Sequence, residues 1–165
     1  MSARTFKKER TVYWPAELEH VVDALTGKNA RGVATGSPMY KFNTGAIVFA
    51  ATVGLKYQCK REVGSDKKEI NTSTFESHDL ATHLFLIVML GLDKPDLEVL
   101  DVDILREEQE ELIVREFEQY AAGGLEYLNA EFDKHPNQSP EVVIERMCRD
   151  TPGTSDAVLP ELPDI

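Results

Sequence analysis

Met39–Arg61, MYKFNTGAIVFAATVGLKYQCKR, decides the fold class. It runs from a short extended or turn segment into a compact apolar helix and out through a basic exit. Asn43 or Thr44 is expected to cap the helix, because either side chain can accept a bond from an unpaired amide of the first turn. The body is Ala46, Ile47, Val48, Phe49, Ala50, Ala51 and Val53, with Gly54 near its end. Small residues at Gly45, Ala46, Ala50 and Ala51 let another backbone come close. Lys56, Lys60 and Arg61 follow at a spacing that lines one edge.

Upstream, residues 1–11 read as a flexible basic arm. Pro15 suits a first helical turn, and Ala16–Leu25 carries Leu18, Val21, Val22 and Leu25 at helical spacing. Lys28–Pro38 is a loop. A strand followed by a helix (Val33–Lys41, then Thr44–Leu55) is the order of ribbon-helix-helix DNA readers, but Gly32, Gly36 and Pro38 make a poor strand.

Downstream, Tyr57–Val63 is a candidate short strand, Gly64–Lys68 a polar turn and Glu69–Phe75 β-leaning. Ser77 is placed to cap a helix over Asp79–Leu90. Leu80, Leu84, Ile87 and Val88 form one face of that helix, and Phe85, Leu86, Met89 and Leu90 extend it nearly all round. A helix apolar on most sides is buried, in the fold's centre or in a subunit interface. After a break at Gly91–Pro95, Val102–Phe132 reads as one long helix or a kinked pair, with Leu105, Leu112, Phe117, Tyr120 and Leu128 inward. Gly123-Gly124 interrupts its middle. Two helical glycines each cost about 1 kcal/mol relative to alanine, so they imply a break, a kink or close backbone packing. Pro140 opens a last helix through Val142, Val143 and Met147. The expected fold is mainly α: one compact helical domain over 12–150, at most a small β element within 57–75, and disordered termini, the latter being the arm and an acidic, Pro-containing tail over 151–165.

A chain of 165 residues can bury a core without staples. Cys59 and Cys148 lie far apart at no metal spacing, which reads as reduced thiols in a cytoplasmic protein. No apolar run approaches the ~20 residues of a membrane span. The net charge of −11 is unevenly placed: residues 1–68 hold 12 Lys and Arg against 6 Asp and Glu, and residues 69–165 hold 6 against 23. Such a chain can offer a basic face to phosphate while its acidic half repels phosphate, meets a basic partner or keeps the protein in solution.

The basic face would comprise Arg10, Lys41, Lys56, Lys60 and Arg61, with Lys67 and Lys68 behind them and Trp14 or Tyr57 able to stack on an unpaired base. The alternative makes Trp14 a packing residue and the lysines plain surface. A partner interface would comprise Leu84, Ile87 and Val88 on the apolar helix, or Glu107 and Glu111 on the acidic one. Tests for catalysis give little. His78 and His83 do not share a helix face, Asp101 and Asp103 form a D-x-D without a nearby lysine, and nothing matches a nucleophile elbow or a phosphate-cradling loop. Cys59 sits among Lys56, Lys60 and Arg61, whose charge would lower a thiol pKa, but no histidine is placed to use it. No catalytic residue, metal or cofactor is assigned.

Three motifs occur in order. Phe42, Thr44, Val48, Phe49, Ala50, Ala51, Gly54 and Lys56 form the first; Val12–Leu25 (VYWPAELEHVVDAL) precedes it; Tyr120-Ala121-Ala122-Gly123-Gly124-Leu125 follows. Over roughly residues 11–150 the chain resembles the small accessory family found beside DNA phosphorothioation (Dnd) systems, Dnd system-associated protein 4. The resemblance implies a bacterial cytoplasmic protein serving sulfur-based DNA modification or the linked restriction of foreign DNA, and it transfers no catalytic residue. The expectation is a non-enzymatic accessory or assembly protein of this antiphage defence. It would dock other proteins of the system, with its basic edge near DNA and a homo-oligomer compatible with the role. The rivals are a stand-alone DNA-binding regulator, an acidic DNA mimic, and a thiol or metal enzyme.

Overall fold

The computed structural model describes residues 5–28, 38–92 and 107–150, with the backbone alone for 107 and 108. Strand β1 (Thr11–Pro15) passes through a 3-10 turn, Ala16–Leu18, into helix α1 (Glu19–Leu25). Then come α2 (Asn43–Lys56), β2 (Lys67–Asn71), α3 (Thr72–Ser77), α4 (Ala81–Leu90), α5 (Glu107–Lys134) and α6 (Pro140–Arg149). The architecture is mainly α, as the apolar periodicity predicts, with one two-stranded sheet among the described residues.

Helix α2 is apolar on most sides and buries Thr44, Ala46, Ile47, Val48, Ala50, Ala51, Val53 and Gly54. It packs along α5 in the most extensive contact of the molecule. Small residues set the distance. A Cβ on Gly124 would lie 1.6 Å from the Ala50 carbonyl oxygen, and one on Gly54 would lie 2.1 Å from that of Tyr120. Gly123 meets the Cys59 carbonyl in the same way. Of the three readings of Gly123-Gly124, close packing is the one realised: α5 continues through both residues without a break. The propensity lost at the glycines is offset by dispersion contacts that two backbones make only at such range.

Strand β1 was hidden in a stretch that reads as the run-in to a helix. It pairs antiparallel with β2, Val12 opposite Ile70 and Trp14 opposite Lys68. Val12 and Trp14 face the core, and Tyr13 between them is half-buried. The expected β element thus exists, but shorter, and with its partner outside 57–75. Tyr57–Val63 is not a strand. Its backbone closes off α2 through Cys59 N–H to Gly54 O and then crosses α5, where Arg61 N–H donates to the Gln119 carbonyl at 3.1 Å. Just beyond β2, the Arg10 amide donates to Thr72 Oγ1 and the Thr72 amide to the Arg10 carbonyl, at 2.9 and 2.8 Å. This exchange ends the sheet and starts α3 in residues that look β-leaning. Residues 5–10, within the stretch read as an arm, lie against the domain. Phe6 is buried with its ring 4.8 Å from Phe85, its amide donates to Glu76, and the Lys7 amide donates to Glu110.

Two expected caps are replaced. Phe42 is the N-cap of α2 with no side-chain bond, because Thr44 turns its hydroxyl to His78 instead. Leu80 takes the N-cap of α4, because Ser77 is already the last residue of α3 and Asp79 turns left-handed at φ 58°. Ser139 does cap α6, accepting from Val142 N–H, with Pro140 in the first turn. The loop at 29–37, the D-x-D at Asp101 and Asp103, the Glu107 side chain, Leu105 and the tail 151–165 lie outside the described residues.

Glu118 fastens the sheet to α5. Nearly fully buried, it accepts from the Tyr13 amide at 2.9 Å and takes both carboxylate bonds from Arg115 Nη1. Burial pushes its carboxyl above the usual range, more than the Tyr13 and Arg115 bonds pull it down.

Two outcomes follow. Gly124→Ala must part α2 from α5 and should destabilise by about 3 kcal/mol or more. Gly45→Ala, where the new methyl meets only the movable Tyr40 ring, should stay within about 1 kcal/mol of wild type; urea unfolding followed by the emission of buried Trp14 measures both. The second concerns pH. With a raised folded-state pKa, the Glu118 proton contributes stability that is present below the unfolded value near 4.5 and lost as pH rises through the folded one. The stability of wild type relative to Glu118→Gln should therefore fall as pH rises over that window, and a flat or rising difference would refute the assignment.

Candidate functional site

The structure disperses the predicted basic edge into ion pairs with the chain's own carboxylates. Arg10 lies against α5, its Nη1 2.7 Å from Glu111 and its Nε 3.7 Å from fully buried Glu110. Lys60 pairs with Glu116, Arg61 with Glu17 and Glu126, and Lys68 with Glu19. The Lys41, Lys56 and Lys67 ammonium groups lie over the rings of Phe42, Tyr57 and Tyr13. Of the two aromatics expected to stack on a base, Trp14 is a core residue 2 % exposed, which closes its indole to a base. Tyr57 is half-buried and already stacked on Tyr127 at 4.1 Å. Burial and the neighbouring Tyr57 push the Tyr127 hydroxyl up to about 12.

The predicted partner residues Leu84, Ile87 and Val88 are all buried in the domain's own core. The apolar helix is therefore central, the other option its pattern left open. Its outward side carries Leu86 and Leu90, one turn apart, and Leu90 is 73 % exposed. Between the end of α4 and the start of α5, Val88, Met89, Leu92, Leu112 and Ile113, with Gln109 and Glu116 at the polar margin, line an apolar groove of about 310 Å³. Leu92 and Leu112 are exposed there, Leu112 by 64 %. Glu111 stands outward on the same helix, tied to Arg10 and Arg115.

A second concavity, about 540 Å³, lies where the start of α2 meets the α3–α4 turn. It collects residues that the sequence scatters. Thr44 Oγ1 and His78 Nδ1 are 2.8 Å apart, and the imidazole stacks on Phe42 with centroids 4.1 Å apart and planes 8° from parallel. Lys41, Ser77, Asp79 and His83 stand around them, with Tyr40, Val48, Phe49 and Leu80 as apolar wall. Asp79, at φ 58°, closes α3: its amide donates to the Glu76 carbonyl and the Leu80 amide to the Phe75 carbonyl, which ends the helix and turns the chain into α4. Sequence reasoning weighed His78 only as a metal ligand, Thr44 as a helix cap and motif position, and Phe42 only as a motif position. No period links residues 34 apart that meet through the packing of α2 against α4.

Cys59 does not have the lowered pKa that its basic neighbours suggest. Burial pushes the thiol up and Glu126 adds to it, while Lys60 and Arg61 spend their charge on Glu116 and on Glu17 and Glu126. His20 bonds Asn129, and His135 faces Arg146. Among the described residues no three His, Cys, Asp or Glu gather as metal ligands, and no helix is long and apolar enough to cross a membrane.

No curated protein and no solved structure matches the chain. Residues 12–158 match the family described as DNA sulphur modification system-associated protein 4. That span takes in the α2 motif, the α5 glycine pair that receives it and the strand that closes the sheet, so the chain belongs to the DNA sulphur modification system-associated protein 4 family.

Proposed function

We propose that the protein is a non-enzymatic assembly component of a bacterial DNA sulphur modification system, working in the cytoplasm and docking another protein of that system along the α4–α5 groove. One observation carries this reading: Leu92 and Leu112 are exposed within an apolar groove that Val88, Met89 and Ile113 continue. Exposed apolar patches of this kind mark interaction sites, whereas single exposed leucines need no explanation. A helix or loop with two or three apolar side chains would fill the groove, and Gln109 and Glu116 would supply a polar rim. The family's association with DNA sulphur modification supplies the class of partner. Service to antiphage restriction belongs to this same proposal.

The charge arrangement favours a protein partner over bare DNA. Arg10, Lys60 and Arg61 would have to leave Glu110, Glu111, Glu116, Glu17 and Glu126 before meeting phosphate. It also weakens the DNA-mimic reading, since five α5 carboxylates face cations of the same chain rather than forming a free acidic array.

Copurification from a host carrying the system, at low salt and with nuclease, tests the proposal. A discrete protein partner should survive nuclease, and Leu92→Glu with Leu112→Glu should release it at least tenfold while leaving the melting temperature within a few degrees, both positions being exposed. Loss of the complex on nuclease treatment, or its indifference to the double substitution, would overturn the reading.

A further inference from the structure

We infer that the cleft between α2 and the α3–α4 turn binds a nucleotide unit, its base stacked on the Phe42–His78 pair and its phosphate taken by Lys41. Among the described residues the cleft shares none with the α4–α5 groove, so this inference stands apart from the docking proposal. At about 540 Å³ it has the size of a small-molecule pocket, a range of roughly 300–1,000 Å³.

Its chemistry is mixed in a specific way. Phe42 is 44 % exposed and lies flat on an imidazole. The stack is fixed in advance. Thr44, itself buried, holds His78 Nδ1 through its hydroxyl, and His78 sits at the C-cap of α3, where the Asp79 and Leu80 amides close the helix. A ligand therefore does not have to order these rings, and stacking on such a platform accepts any base because every base has a π-face.

The polar groups match the rest of a nucleotide. Lys41 lies over the Phe42 ring with its ammonium 5.1 Å from the centroid, so a base that lands on this ring moves Lys41 aside toward its own phosphate. Asp79, the one carboxylate among the described lining residues, can accept from a base N–H edge; the Ser77 and Thr52 hydroxyls, which donate to the Thr74 and Val48 carbonyls, are left as acceptors. A simple inorganic anion would gain Lys41 but meet Asp79 and leave the rings unused; a purely apolar ligand would leave Lys41 and Asp79 unused. A flat ring with an N–H edge and an anionic tail uses all three. This ligand can be a free mononucleotide or an unpaired residue of a DNA strand.

Calorimetric titration of the full chain with 2′-deoxyadenosine 5′-monophosphate, deoxyadenosine, inorganic phosphate and a short single-stranded oligonucleotide, at one fixed salt concentration, tests it. The monophosphate or the strand should bind. Phe42→Leu should weaken that binding about tenfold, whereas Phe42→Trp should retain it. Lys41→Gln should weaken the monophosphate several-fold and leave deoxyadenosine unchanged. A strand that binds more tightly than the monophosphate, with the same response to Phe42→Leu, assigns the site to DNA; a monophosphate that binds as tightly or more tightly assigns it to a free nucleotide. Absence of binding by both, indifference to Phe42→Leu in a protein of unchanged melting temperature, or inorganic phosphate binding as well as the monophosphate would each overturn the inference. Should Phe42→Leu fail to fold, the responses to Phe42→Trp and Lys41→Gln decide in its place.

Discussion

The close approach of α2 to α5 governs the rest of this structure. With Gly124 on the Ala50 carbonyl and Gly54 on that of Tyr120, the two helices meet backbone to backbone, and every neighbouring element takes its place from that line. Gly123 fits over the Cys59 carbonyl, so the chain leaving α2 is pressed onto α5 and cannot form an independent strand. The sheet packs against α5 through Glu118, and α4 covers both helices with Leu84, Ile87 and Val88. Native cores tolerate little change in volume, and a backbone-to-backbone contact tolerates least, because a carbonyl cannot rotate aside as a side chain does.

The charge asymmetry of the sequence finds its physical meaning within the fold. The basic first half and the acidic α5 are partners: Arg10 reaches Glu110 and Glu111, Lys60 reaches Glu116, and Arg61 reaches Glu126. Pairs at the surface contribute no more than about 1 kcal/mol each, so their main effect is orientation. Glu110 differs. It is wholly buried, with Lys7 N–H and Arg10 at its two oxygens, and it draws the N-terminal segment onto α5. Phe6 then adds an apolar anchor beside Phe85. A sum over residue charges shows a basic arm and an acidic tail end; the three-dimensional arrangement shows two surfaces that largely satisfy each other.

What the sequence disclosed was governed by range. Helical periods and glycine–alanine spacing are local, so α2, α4, α5 and α6 were legible, as was a special role for Gly123-Gly124, though not which of a break, a kink or close packing it served. The strand at Thr11–Pro15 was not, since its short alternation merges into the apolar spacing of α1 and its partner lies about 56 residues on. The capping errors share one cause: Thr44 and Ser77 have the right chemistry for caps, but Thr44 is drawn to His78 and Ser77 is taken into α3. The candidate cleft was the least legible part. Phe42, Thr44 and His78 carry no joint pattern in the chain, and only the packing of α2 against α4 brings them together.

If the α2–α5 crossing is what the fold depends on, it should be the last part to open. Native-state amide hydrogen exchange measures this residue by residue. The account predicts that the amides of Ala50–Gly54 and Ala121–Leu125 exchange only through global unfolding, with a free energy equal to the total stability, while those of α6 and the sheet exchange through smaller openings. Protection at the crossing that is lower than in α4 would contradict it, and would place the organising contact elsewhere in the core.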